Sequence, residues 1–148
     1  MTYNALRKGR YSEQGRAYFI TTVTAARYPF FLDLWCARSM VRVLRDLNDN
    51  GFVQSLCWVL MPDHVHWLFR LQYRNLPWIM NRMKGKSARS INRRLVRNGP
   101  VWQKAYYDRG LRDNDDIKQL ARYIIANPLR KGLAKNIGDY PHWDAVWL

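Results

Sequence analysis

The sequence predicts an α+β protein centred on a ferredoxin-like antiparallel sheet, the split βαβ arrangement of RRM domains, with helices on one face. Hydrophobic periodicity predicts strand, helix, strand, strand, helix and strand, in that order, followed by an added C-terminal helix and a short tail. A chain of 148 residues can bury its own core without disulfide bonds. We therefore expect one domain over residues 1–148, with a basic N-terminal segment at 1–15 and a C-terminal tail at 136–148.

The first half of the chain predicts a strand, a helix and a hairpin. Residues 16–24 are rich in β-branched and aromatic side chains, which is typical of a strand. Residues 34–50 carry apolar side chains at helical spacing and end at a glycine-containing stop signal. Residues 52–61 and 64–71 have the composition of strands, and Pro62-Asp63 between them favours a tight turn. These two strands should pair as an antiparallel hairpin.

The second predicted helix carries one basic face. Asn75 is a suitable N-cap, and Pro77 suits the first turn that follows it. Four basic residues recur at spacings of four, three and four, so they should form a single stripe along the helix. The stripe consists of Arg82, Lys86, Arg89 and Arg93. The opposite, apolar face consists of Met80, Met83, Ile91 and Leu95. Residues 101–111 should then be extended.

A third helix is predicted over residues 113–127, with acidic residues near its start. Tyr123 and Asn127 lie one turn apart, beside the buried stripe. Pro128 disfavours helical geometry at Asn127, so the helix should end there, with carbonyl groups that could face a cation. A tyrosine at the edge of an apolar stripe is more often a packing residue, and spacing alone leaves both possibilities open. The stripe consists of Ile117, Leu120, Ala121 and Ile124.

Charge is concentrated in the middle of the chain. Lys and Arg number 25 against 11 acidic residues, a formal net charge of +14. Between Asp63 and Asp108 there are ten basic residues and no acidic residue. Such a block is typical of a protein that binds a polyphosphate such as nucleic acid, although a solvated basic face would have the same composition. The abundant aromatic residues also suit stacking on unpaired bases.

His64-Val65-His66 is the strongest candidate for a chemical site. Side chains two apart on a strand point to the same face, so both imidazoles can approach one metal ion while Val65 packs into the core. The alternative is a pair of ordinary histidines with hydrogen-bonded ring nitrogens. Cys36 and Cys57 lie in apolar surroundings far apart in sequence, which favours buried thiols over a redox pair or a zinc site.

Two segments together resemble the HUH endonucleases. Residues 61–66, Met-Pro-Asp-His-Val-His, resemble the His-hydrophobe-His motif, and residues 123–133 resemble the segment that carries the nucleophilic tyrosine. Four further segments are similar to the REP-associated tyrosine transposases, a branch of the single-tyrosine transposases. They are residues 83–87, 101–104, 107–112 and 140–147. The similarity runs in order from about residue 16 to the C-terminus.

The resemblance implies roles for particular residues. His64 and His66 would be metal ligands, Tyr123 on the added helix the nucleophile, and Asn127 the polar residue that completes the metal site. Asp63, where Asn is also common, would support the metal site without being a ligand. The ion would be Mg²⁺ or Mn²⁺. The substrate would be single-stranded, hairpin-forming DNA of repetitive extragenic palindromes with a flanking tetranucleotide, cleaved and rejoined through a 5′-phosphotyrosine.

Basic residues in two regions are candidates for DNA contacts, although each could be an ordinary solvated charge. The second helix would contact the DNA backbone, and the N-terminal segment would hold the tetranucleotide, as the resemblance implies. The helix candidates are Arg82, Lys84, Lys86, Arg89 and Arg93, and the N-terminal candidates are Arg7, Lys8, Arg10 and Arg16.

Two other functions fit the same sequence. A replication initiator or relaxase would use the same histidine pair, and a non-catalytic single-stranded nucleic-acid-binding module could use the sheet alone. The chain has no stretch of about 18 uncharged apolar residues and no secretory signal, so we expect a bacterial cytoplasmic protein associated with the nucleoid, without a membrane partner. We favour a monomer over a homodimer.

Overall fold

The structure is a computed structural model that describes residues 12–112 and 114–145. A five-stranded antiparallel sheet forms its centre, with strand order β4-β1-β3-β2-β5. The strands are β1 (Ala17–Val23), β2 (Val53–Met61), β3 (His64–Leu71), β4 (Tyr107–Leu111) and β5 (Trp143–Ala145). The helices are α1 (Leu34–Asp49), α2 (Leu76–Leu95), α3 (Asn114–Ile125) and α4 (Asn127–Arg130). The first four strands have the predicted ferredoxin-like arrangement, because β3 lies between β1 and β2 and is antiparallel to both.

One face of the sheet packs against α1 and α2. Trp67 and Phe69 of β3 are fully buried there, together with Met40 and Leu44 of α1 and Met80 of α2. Both helices begin at side-chain caps, since Asp33 accepts hydrogen bonds from two backbone amides of α1 and Asn75 accepts one from α2. The predicted N-cap at Asn75 is therefore confirmed.

The added helix α3 covers the opposite face. Ile117, Ala121 and Ile124 are buried against Leu68 of β3 and Val59 of β2, as the helical periodicity predicts. Successive residues of β3 point to alternate faces, so the face covered by α3 is also the face of His64 and His66.

Two features of the C-terminal region differ from the prediction. The helix ends at Ile125, and Asn127 begins the short helix α4, in whose first turn Pro128 is accommodated. The Asn127 carbonyl accepts a hydrogen bond from the Lys131 amide at 3.0 Å, so the predicted open helix end at this residue is wrong. The predicted tail also contains β5, which pairs with β2 and extends the sheet beyond four strands.

The segment after α2 is only partly a strand. Residues 107–111 form β4. Trp102 makes only an isolated bridge to Thr24, the residue that follows β1. Among the residues that the structure describes, no helix is both long and apolar enough to span a membrane.

Candidate active site

The histidine pair lies at the start of β3, directly after the hairpin turn. Residues His64 and His66 share one face, and their ring centroids are 4.8 Å apart. Val65 between them is buried in the core on the other face, as predicted. The Phe19 ring of β1 lies 5.7 Å from the His66 ring. The imidazoles therefore lie side by side in a partly apolar setting.

Each imidazole is oriented through its Nδ1 atom. His64 Nδ1 lies 2.7 Å from Asp63 Oδ1, and His66 Nδ1 lies 2.9 Å from Thr21 Oγ1. A carboxylate only accepts hydrogen bonds, so the contact with Asp63 places a proton on Nδ1 of His64. In that tautomer, Nε2 has a free lone pair. Anchoring of one ring nitrogen by a carboxylate or hydroxyl while the other binds metal is the usual arrangement of histidine ligands.

Burial and neighbouring charges keep His66 in the state that metal binding requires. Burial raises the pKa of the Asp63 carboxyl, but hydrogen bonds and charges of His64 and Arg27 outweigh burial, so the net pKa lies below its usual value. Burial, together with the charges of His64, Arg130 and Lys131, lowers the pKa of His66 to about 3. His66 is therefore neutral at physiological pH, and neutral imidazole is the form that binds a metal.

Tyr123 extends into solvent from α3. Tyr123 is 61% exposed, which is the largest exposure among the tyrosines that the structure describes. The Arg130 guanidinium carbon lies 3.8 Å from the centroid of the Tyr123 ring, within the range of a cation–π contact. The phenol ring is thus held on one side while the residue stays accessible to a large substrate.

Asn127 is buried, at 7% exposure, at the start of α4. Its Oδ1 atom accepts a hydrogen bond from Arg130 Nη2 at 2.9 Å. One guanidinium therefore contacts both Tyr123 and Asn127, and its charge also acts on His66. Arg130 is not among the site residues that the sequence predicts. Its position seven residues after Tyr123 and three after Asn127 was the available signal, because residues three apart share a helix face.

The donors present fit a divalent ion. No three His, Cys, Asp or Glu side chains within residues 12–112 and 114–145 are grouped to hold a metal, so an ion at the histidines needs a different third ligand. The amide oxygen of Asn127 has the right chemistry, and it has a second lone pair beside the one that accepts from Arg130. Two imidazoles and an amide oxygen, with positions left for water and phosphate, suit Mn²⁺ or Mg²⁺.

The predicted basic stripe lies away from the histidines. Arg82, Arg89 and Arg93 are exposed and Lys86 is half-buried, all on α2 and hence on the far side of the sheet. Lys84 has another role, since its ammonium donates to the carbonyl oxygens of residues 103, 104 and 105 at 2.9, 3.2 and 3.4 Å. It holds the segment that leads into β4.

Of the N-terminal candidates, only Arg16 is described. Its guanidinium lies over Gly110, where an added Cβ atom would come within 2.6 Å of it, and 3.6 Å from Glu13. Arg16 therefore packs against β4. Arg7, Lys8 and Arg10 lie outside the described residues.

Both cysteines are free and buried, as predicted. Burial raises the pKa of Cys36 to about 11 and that of Cys57 to about 12. Neither thiol belongs to the histidine site.

Sequence comparison identifies the family. The profile of the family described as "Transposase IS200 like" matches residues 14–127, which include the histidine pair, Tyr123 and Asn127. The chain belongs to the IS200-like transposase family. This membership confirms the family resemblance that the two motifs predicted.

Relatives of this IS200-like transposase chain carry a more specific name. This chain is 24% identical over 140 residues to a Haemophilus influenzae protein assigned as a REP-associated tyrosine transposase. The match covers 87% of this chain and 79% of the relative. This chain is 22% identical over 132 residues to the REP-associated tyrosine transposase of Escherichia coli, covering 89% and 78% of the two chains.

Solved structures share the fold. A REP-associated tyrosine transposase bound to a REP hairpin superposes with a TM-score of 0.72 and 18% identity, covering 90% of this chain and 79% of that chain. A protein of Deinococcus radiodurans assigned as a transposase gives a TM-score of 0.56 and 23% identity, covering 79% and 94%. The α+β sheet with its added helix is thus the fold of these transposases.

Proposed function

We propose that this IS200-like transposase is a metal-dependent endonuclease and strand transferase for single-stranded, hairpin-forming DNA. The observation that carries the proposal is the pair His64 and His66, each anchored through Nδ1, on the sheet face that α3 covers with Tyr123. The substrate class is supported by the similar structure that holds a REP hairpin and by relatives named for REP elements.

In this proposal, His64, His66 and Asn127 hold a Mg²⁺ or Mn²⁺ ion. When bound, the ion supplies positive charge to a nonbridging oxygen of the scissile phosphate, which makes the phosphorus a better electrophile. Asp63 and Thr21 contact the Nδ1 atoms of the two rings, which leaves the Nε2 atoms for the ion.

Tyr123 is the nucleophile. Its phenol oxygen forms a bond to phosphorus as the bond from phosphorus to the 3′-oxygen breaks, and the phenol proton passes to solvent. The products are a 5′-phosphotyrosine and a strand that ends in a free 3′-hydroxyl once that oxygen takes up a proton. The phosphotyrosine keeps the phosphodiester bond energy, so a 3′-hydroxyl of another strand can reverse the step and join to the 5′ end.

Arg130 positions the two residues it contacts. Stacking on the Tyr123 ring limits the ring's rotation, and the hydrogen bond to Asn127 Oδ1 fixes the amide. Preorganisation of this kind lowers the entropic cost of reaching an in-line geometry. Arg130 does not need to touch the DNA for this effect.

Cleavage of labelled DNA tests the proposal. A hairpin oligonucleotide labelled at its 3′ end, incubated with protein and Mn²⁺, should yield a protein-linked fragment on a denaturing gel. His64→Ala should abolish the linked fragment and leave most DNA affinity, because the basic residues on α2 are separate from the histidines. Binding without cleavage by the wild-type protein, across hairpins of varied sequence, would instead favour a non-catalytic module.

A further inference from the structure

A second surface with the chemistry of a nucleic-acid site lies at the start of α1. The Trp35 side chain is 55% exposed there, beside Leu34 at 47%. The guanidinium carbons of Arg38 and Arg94 lie 5.3 and 5.8 Å from the Trp35 ring centroid. An exposed indole between arginines is a suitable platform for an unpaired base, since stacking and guanidinium charge act together on bases and phosphates.

The acidic residue beside this platform is already neutralised. Asp33 Oδ1 accepts hydrogen bonds from the amides of Trp35 and Cys36 at 2.8 and 3.0 Å. Its Oδ2 lies 3.9 Å from Arg94 Nε. The carboxylate therefore caps α1 and faces a cation, and it does little to repel a phosphate that approaches the platform.

The positive surface continues from the platform along the groove between α1 and α2. Arg42 of α1 lines this groove opposite Lys86, Arg89 and Arg93 of α2, and Asp46 is the acidic side chain that lines it. Four cations with one carboxylate leave the groove with a net positive charge.

The platform and the histidine pair lie at the same end of the sheet. The Phe31 amide, just before α1, donates to the Pro62 carbonyl at 3.1 Å. Arg27 Nη1 lies 3.2 Å from Asp63 Oδ2, whose other oxygen contacts His64. The segment that leads into α1 is thus attached to the hairpin turn that precedes His64. The start of α1, which carries Trp35, therefore lies on the same side of the molecule as the turn before the histidines.

We propose that Trp35, Arg38 and Arg94 form a stacking site for an unpaired base of the DNA strand that leaves the active site, with the following phosphates in the α1–α2 groove. The proposal rests on the proposed function in that the ligand is the same DNA. It adds a binding site on the sheet face that α1 and α2 cover, opposite the face of the histidines and Tyr123.

Photocrosslinking tests the placement of the base. The protein carries Tyr123→Phe so that the DNA stays uncleaved, and the probe is a hairpin with a single-stranded extension that contains 5-iododeoxyuridine. Irradiation followed by mass spectrometry of the peptides should show a crosslink at Trp35. The iodinated base is placed at each position of a 5′ or a 3′ extension in turn. Crosslinks confined to other aromatic residues in all of these probes would overturn the proposal.

Binding measurements test how much stacking on Trp35 contributes to DNA affinity. In the same background, Trp35→Ala should weaken the affinity for the extended hairpin about tenfold, within the range of stacking one base, and Trp35→Phe should restore most of it. Arg38→Gln should lower the salt dependence of binding as well. The hairpin without its extension should bind wild type and Trp35→Ala equally.

A matched control separates stacking from general charge. The double variant Lys118→Gln/Lys135→Gln removes two exposed charges elsewhere and should not discriminate between hairpins with and without the extension. Equal affinities of Trp35→Ala and wild type for the extended hairpin, with thermal melting unchanged, would contradict the stacking site. These assays measure binding alone and the cleavage assay measures chemistry. A negative result for the stacking site is therefore distinguishable from a negative result for the proposed cleavage activity.

Discussion

At the scale of single residues, Arg130 links the parts of the candidate site. Its guanidinium contacts the Tyr123 ring and the Asn127 amide, and its charge reaches His66. Histidines and tyrosine could be selected from sequence because their side chains carry recognisable chemistry at recognisable spacing. Arg130 has only a spacing signal in the sequence, and it lies on α4, a separate short helix that follows the end of α3.

We expect Arg130→Ala to slow single-turnover cleavage about 10- to 100-fold, the usual effect of losing a group that orients a metal ligand. DNA affinity should change far less than the rate, because the guanidinium is engaged within the protein. Arg130→Lys should remain slow, since an ammonium lacks the planar shape needed to stack and donate together. A cleavage rate equal to that of wild type in Arg130→Ala would show that Arg130 does not position the site.

The two cysteines should be unreactive in the folded protein. Their pKa values of about 11 and 12 leave about one thousandth or less of either group as the reactive thiolate at pH 8. A chromogenic disulfide reagent at pH 8 should therefore label neither Cys36 nor Cys57 until denaturant is added, when both should react. Rapid labelling of one thiol without denaturant would contradict its buried position.

At the scale of elements, the longer helices and strands follow from the sequence because each has enough residues to show a period. The alternation of side chains along β3 predicts that Val65 packs into the core and that His64 and His66 share the other face. The strand β5 has three residues, too few for a pattern, and it exists because β2 offers an edge. The sequence predicts that α3 ends at Asn127 because Pro128 can stop a helix, but the structure ends α3 at Ile125 and places Pro128 in the first turn of α4, which proline also suits.

The N-cap of α1 makes a prediction about pH. Hydrogen bonds from the Cys36 and Trp35 amides and the charge of Arg94 hold the pKa of Asp33 below its usual value, despite the opposing effect of burial. The cap therefore stabilises the fold above the usual carboxyl pKa and loses that contribution as the pH falls through the lowered value. Asp33→Ala should lower the free energy of unfolding by about 1 kcal/mol at pH 7, and by less near pH 3.

Urea unfolding at both pH values measures this difference. Asp33→Asn is the matched control, because asparagine caps a helix about as well as aspartate without titrating. A loss of stability in Asp33→Ala that is as large at pH 3 as at pH 7 would show that the carboxylate charge does not contribute.

At the scale of the whole molecule, the sheet separates the candidate active site from the basic groove between α1 and α2. One face carries the histidines beneath the tyrosine helix, and the other carries the helices with most of the clustered positive charge. The sequence showed that the charge was clustered, but it could not show that the stripe and the histidines lie on opposite faces. That arrangement depends on how β3 and α2 pack.

The packing of α3 also bears on the oligomeric state. Ile117, Ala121 and Ile124 lie against the sheet of the same chain, so Tyr123 lies on the same sheet face as the histidines of its own subunit. We therefore expect a monomer of 17.7 kDa that is active on its own. Light scattering after size exclusion, with and without hairpin DNA, measures the mass. Recovery of cleavage on mixing His64→Ala with Tyr123→Phe would contradict this, because only exchange of helices between subunits could restore a complete site.

Covalent attachment of DNA to Tyr123 is the step that defines the proposed mechanism. After incubation of the wild-type protein with hairpin DNA and Mn²⁺, the DNA is digested with a nuclease and the protein with a protease, and the peptides are sequenced by mass spectrometry. We predict a 5′-phosphonucleotide on Tyr123, absent from His64→Ala. Cleavage of the DNA with no adduct, or with the adduct on another residue, would contradict the mechanism.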